Sequence, residues 1–130
     1  MALGFDPQGL KAPFGAFSHA AWAPAGRVPY ISGQTASDAA GNIVGEGDIA
    51  AQTEQTLRNI QTILQSVGGT FDHIVSITVL VTEMRGLKKI NEVRRRFFRP
   101  PYPASTLVEV KSLVAPRMMI EINAVAVIRG

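Results

Sequence analysis

Residues 73–81, HIVSITVLV, are β-branched or apolar at both alternating sets of positions. A strand of that kind needs both of its faces covered, so it belongs inside a sheet and not at its edge. Residues 118–128 repeat the problem. Met118, Ile120, Ile122, Ala124, Ala126 and Ile128 form one apolar set, and Met119, Val125 and Val127 stand in the other beside Glu121 and Asn123. Any fold for this chain must cover two such strands.

The covering elements are legible. Asp48 predicts a helix N-cap, followed by Ile49, Leu57, Ile60, Ile63, Leu64 and Val67 at helical spacing. Gln52, Gln55, Arg58, Gln61 and Gln65 fill the opposite side, and Gly68-Gly69 ends the helix. A second helix is predicted from about Gly86 to Phe98, with Leu87, Ile90, Val93 (or the stem of Arg94) and Phe97 as its stripe. Pro100-Pro101 stops it. Ala16–Trp22 and Val28–Ser32 read as strands joined in a hairpin at Pro24-Ala25-Gly26, and residues 33–47 as a Gly-rich loop. Ser105–Val114 and Arg117–Ile128 read as two further strands with a turn at Ala115-Pro116. The order β-β-α-β-α-β-β predicts an α+β fold, with two helices on one face of a single mixed sheet. The other, partly apolar face would be an aggregation hazard if left bare. It calls for a second copy of the chain, hence a closed homo-oligomer.

At 130 residues the chain is expected to be one domain, 1–130. It has no cysteine, which excludes disulfides, a thiol nucleophile and cysteine-held metal. His19 and His73 lack a local ligand spacing, so neither a metal nor a cofactor is expected. No apolar run reaches the length of a membrane span, and residues 1–10 lack the apolar core of a secretory signal, so the expected compartment is the cytoplasm, with no membrane partner. The net charge is +3, but Arg85, Lys88, Lys89, Arg94, Arg95, Arg96 and Arg99 crowd into one stretch on the second helix. No aromatic stacking motif accompanies them. They read as a solvated face eased by the helix dipole, which argues against nucleic acid as a partner.

Four groups of residues could carry chemistry. Glu121 and Asn123 share one sheet face, as the wall of a pocket between subunits or as a polar contact across that interface. Ser32-Gly33-Gln34 ends a strand where free backbone N–H groups could hold an anion or carbonyl oxygen; a plain strand-ending turn is the simpler reading. Ser105 and Thr106 could donate to a ligand, but no base can be placed beside them, so turn chemistry is favoured over a nucleophile. His19 reads as structural rather than catalytic.

The succession of motifs resembles the Rid (reactive intermediate deaminase, or YjgF) family. Residues 12–20, APFGAFSHA, are similar to its P-x-G-P-Y-S-x-A opening, and Ser32-Gly33-Gln34 to its SGQ strand end. Residues 52–68, QTEQTLRNIQTILQSVG, are similar to its first helix, and residues 79–91 with Phe97-Phe98 to the stretch from its central strand into its second helix. Residues 103–110, PASTLVEV, with Leu113, Pro116 and residues 120–126, IEINAVA, resemble its C-terminal signature. The resemblance implies a chorismate-mutase-like (YjgF-type) α+β fold, a homotrimer with a cleft at each subunit interface, and cofactor-free, metal-free hydrolysis of enamine or imine metabolites to ammonia. The candidate substrate pocket it implies holds Phe17, Ser32, Gly33, Asn91, Tyr102, Ser105, Thr106, Glu121 and Asn123. Deaminating members carry Arg where this chain has Ser105, Glu where it has Asn123, and Tyr where it has Phe17. The missing strand arginine argues against the usual 2-iminobutanoate/2-iminopropanoate activity and for another enamine or imine. The alternatives are a non-catalytic ligand-binding or regulatory trimer and an RNA-binding or ribonuclease role.

Overall fold

In a computed structural model, residues 3–129 are described, and they form a four-stranded mixed sheet with two helices packed on one face. The strands are β3 (Tyr30–Gln34), β4 (Ile74–Val81), β5 (Ala104–Glu109) and β6 (Ile120–Ala126), in the spatial order β3-β6-β4-β5. A separate two-stranded ribbon joins β1 (Gly4–Phe5) to β2 (Ala20–Ala21). The helices are α1 (Ile49–Ser66) and α2 (Leu87–Phe97). Neither is long and apolar enough to cross a membrane.

The two doubly apolar segments take the two inner positions, as their composition requires. β6 lies antiparallel between β3 and β4, and β4 pairs with β5 in parallel through the α2 crossover. Period-two alternation then sorts the side chains. Ile77, Val79 and Val81 of β4 and Ile120, Ile122, Ala124 and Ala126 of β6 point into the main core. There they meet Leu57, Ile60 and Leu64 of α1 and Ile90 and Val93 of α2. Each of the Val, Leu and Ile side chains among them stabilises the fold by about 2 kcal/mol relative to exposure.

Both helices are delimited as their residues dictate. The Asp48 carboxylate accepts from the Ala51 N–H at 3.1 Å and caps α1. Gly68, at φ 74°, takes the left-handed conformation that ends it. One expectation about its polar side is corrected: Gln52 is wholly buried. Its amide donates to the Arg117 carbonyl at 3.0 Å and accepts from the Met119 N–H at 2.8 Å, so α1 holds the entry to β6. Nothing in a helical wheel separates such a glutamine from a solvated one.

Two predicted pairings are also corrected. The Ala16–Trp22 and Val28–Ser32 segments do not form a hairpin; β2 pairs with β1, and β3 pairs with β6. The chain after Pro24-Ala25-Gly26 joins the C-terminal segment instead, through the Arg27–Ile128 bridge. The two C-terminal strands are shorter than predicted and are not neighbours, because β4 stands between β5 and β6. A parallel β5 requires a long return, and residues 110–119, with Ala115-Pro116, supply it as a loop.

Candidate functional site

The open sheet face and the helix face divide the candidate residues between them. On the open face, Ser32 and Gly33 both stand opposite Asn123, because the β3–β6 register slips between Ile31 and Gln34. This bulge shapes a shallow recess of about 310 Å³ whose wall includes Tyr30, Ser32, Gly33, Asn123 and Val125. The Glu121 carboxylate lies over Gly33 so closely that a Cβ there would collide with it. Glu121, Asn123, Ser32 and Gly33 therefore form one polar group on an otherwise mixed surface.

On the helix face, β5 contributes Ser105 and Leu107, in register with core residues Ile77 and Val79. The N-terminal segment runs beside the start of β5: Ser18 bridges to Ala104, and its N–H donates to the Pro103 carbonyl at 2.9 Å. That placement sets Phe14 and Phe17, edge-to-face at 5.2 Å, beside the Leu87, Asn91 and Arg94 side of α2. A recess of about 200 Å³ results, lined by Phe14, Gly15, Phe17, Met84, Leu87, Asn91, Arg94, Ser105 and Leu107.

Of the sequence candidates, Phe17, Asn91 and Ser105 thus come together in one recess, and Ser32, Gly33, Glu121 and Asn123 in another group. Tyr102 packs on the main core and lines neither recess, and Thr106 points out on the opposite face of β5 from Ser105. His19 pairs with Asp6 at 3.0 Å, and the His73 ring accepts from the Thr70 N–H, so both histidines have local structural partners.

The basic stretch of α2 does not behave as one face. Arg96 pairs with Glu54 at 3.1 Å, Arg99 with Asp72 and Arg85 with Glu83, all at the surface. The hydrogen bonds that Arg99 donates to the Asp72 carboxylate raise its pKa. Arg94 departs from the solvated face predicted for the stretch: it is 2% exposed. Its Nη2 donates to the Ala16 carbonyl and to Ser105 Oγ, each at 3.0 Å. Position 105 has no arginine of its own, yet a guanidinium reaches it from α2. Burial lowers the Arg94 pKa to about 10, with the nearby charge of Arg95 adding to the effect and Tyr102 opposing it. The sequence signal for this residue was its overlap with the apolar stripe of α2, at the position of Val93's neighbour.

The Endoribonuclease L-PSP family model matches residues 9–128. Protein DfrA of Myxococcus xanthus is 35% identical over 114 residues, covering 87% of this chain and 86% of that one. The 2-iminobutanoate/2-iminopropanoate deaminase of Homo sapiens is 33% identical over 102 residues, covering 78% and 73%. Among solved structures, the Rid-family protein YyfB of Yersinia pestis superposes with a TM-score of 0.89 at 30% identity, covering 96% and 97% of the two chains. Motifs, fold and relatives agree, and the chain belongs to the Rid (YjgF) family, described by its family model as Endoribonuclease L-PSP.

Proposed function

We propose that this protein hydrolyses an enamine or imine metabolite to ammonia and a carbonyl compound, in clefts between the subunits of a homotrimer. The observation that carries the reading is the division of the polar residues. Ser105, Asn91 and Phe17 stand on the helix side of β5, while Ser32, Gly33, Glu121 and Asn123 stand on the open face of β3 and β6. A single sheet cannot bring its two faces to one ligand, but the open face of one copy against the β5 edge of a second can. The deaminase named among the relatives supports the reaction class.

In that cleft the chemistry needs a polarised C=N carbon, a water and a base. The bulged Ser32–Gly33 backbone offers N–H groups toward the substrate. The Glu121 carboxylate over Gly33 takes a proton from the attacking water, and Asn123 orients that water through its amide. Water adds to the imine carbon, the C–N bond of the resulting carbinolamine breaks, and nitrogen leaves as ammonia with the proton returned to it. No redox step is involved.

Ammonia release is the test. A panel of freshly generated enamines and imines, with 2-iminopropanoate and 2-iminobutanoate among them, is expected to yield ammonia faster than the buffer control for at least one member. Glu121→Gln is expected to slow that member about 100-fold, the usual scale of one acid–base contribution. Silence across the panel, with a ligand-dependent rise in Tm, would instead establish a binding protein.

A further inference from the structure

We propose that the arginine-rich C-terminal end of α2 holds a second ligand site, and that its ligand is a phosphate monoester with a flat ring body, the chemistry of a nucleoside monophosphate. The site shares no lining residue with the recess beside Ser105. It goes beyond the deaminase reading and does not depend on it.

Two recesses flank one ion pair. Arg99 donates from Nε and Nη2 to the two oxygens of the Asp72 carboxylate, and both residues line both recesses. The first recess, of about 420 Å³, is mostly apolar, with Phe71, Ile74 and Phe98 in its wall beside Pro100, Pro101 and Pro103. Its charged lining residues are Asp72, Arg99 and Arg129. The second, of about 350 Å³, adds Arg95 and Arg96. An apolar compartment and an arginine compartment thus meet at Arg99.

Charge defines one end of the ligand. Among the described residues Arg95 and Arg129 belong to no ion pair, whereas Arg96 and Arg99 have Glu54 and Asp72. The dipole of α2 accounts for cations in its last turn, but not for Arg99 beyond the helix end or for Arg129 near the other end of the first recess. Arg95 also acts on buried Arg94, lowering its pKa, a repulsion that an anion beside Arg95 would relieve. All four cations are arginines, whose planar forks suit phosphate oxygens in pairs. A phosphate monoester carries about −1.5 to −2 near neutral pH, which matches the two unpaired guanidinium groups. The apolar compartment defines the other end. Proline faces and phenylalanine edges suit a flat ring, and its volume is in the usual range of small-molecule sites. Phe71 and Phe98 are only 9% and 5% exposed, so they can wall one ring but offer no platform on which successive bases of a polymer could stack.

The probes are AMP, adenosine and inorganic phosphate, titrated into the full-length protein by calorimetry and followed at the ¹⁵N-labelled backbone amides. AMP is expected to bind about tenfold or more tighter than either fragment, with shifts at Thr70, Asp72 and Arg99 and none at Asn91 or Ser105. Its affinity is expected to fall with added salt, because the arginines are at the surface. The double variant Arg95→Gln, Arg99→Gln is expected to weaken AMP about tenfold or more while adenosine binds as before, with Tm close to that of the wild type. Four results on the wild type overturn the proposal, and none depends on a variant folding. Phosphate binding as tightly as AMP leaves a plain basic patch. Adenosine binding as tightly as AMP removes the anion. Shifts gathered at Asn91 and Ser105 place the ligand in the other recess, and affinity for oligouridylate that rises with its length makes the surface one for a polymer. Ammonia release enters none of these readouts, so the deaminase reading stands or falls separately.

Discussion

Arg94 holds its proton less tightly than an ordinary arginine, at about 10, because burial disfavours its charged form. The sign of the resulting pH dependence follows directly. Below that value the buried charge is held at a cost to the folded state; above it the folded state sheds a proton that the unfolded chain, with an ordinary arginine, still holds. The contribution of Arg94 to stability is therefore expected to stay level from pH 7 to about 9 and to become more favourable as pH passes about 10. Arg95 and Tyr102 are the titratable groups that act on Arg94, the first lowering and the second raising its pKa. Urea unfolding of the wild type and of Arg94→Met across this range checks the sign: the stability of the wild type relative to the variant is expected to rise past about pH 10, and a relative fall would overturn it. Much of the surrounding site is legible in the sequence. The Ser32-Gly33 strand end and the Glu121/Asn123 alternation can each be placed on a face by period alone. Arg94 cannot, because five other basic residues between 85 and 96 mask it and its value to the site comes from the turn of chain at Ala16, far away in sequence.

At the scale of elements, α1 does more than cover the sheet. Through Gln52 it grips the start of β6, and through Asn59, whose amide donates to the Thr35 and Ser37 carbonyls at 3.0 and 2.9 Å, it grips the exit of β3. These are the two strands that carry the open-face polar group. Gln52→Ala leaves one buried N–H and one carbonyl unpaired, with an expected loss of about 2 kcal/mol measured by urea unfolding. The same variant is expected to reduce turnover, since the β3–β6 bulge depends on where β6 begins. Helix existence, caps and ends were readable because each has a local chemical signature, such as Asp48 and Gly68. Strand neighbours were not. The hairpin reading of residues 16–32 rested on local turn residues, whereas the actual partners of β3 and β2 lie about 90 and 15 residues away along the chain.

For the whole molecule, the open face is the decisive surface. Tyr30 is 80% exposed, and Val125, Leu80 and Val108 lie on the same side among Ser76, Thr78 and Thr106. Leu3, Val75 and Val127 cover one end of it from below the β1–β2 ribbon, and the remainder stays bare in a single chain. Val125→Arg places a charge on this surface beside the Leu3–Val75–Val127 cluster, and is expected to convert the proposed trimer to monomer in sedimentation velocity, while far-UV circular dichroism stays unchanged. Under the proposed assembly, a monomeric variant is also expected to lose turnover, because each proposed cleft would lack half of its residues. The position of β6 has another consequence. Among the described strands it comes last in sequence, yet it sits between β3 and β4 and pairs with both. Until residues 120–126 are available, β3 has no partner in the four-stranded sheet. Closure of the sheet therefore joins segments about 90 residues apart in sequence, and it cannot be completed before residues 120–126 are in place.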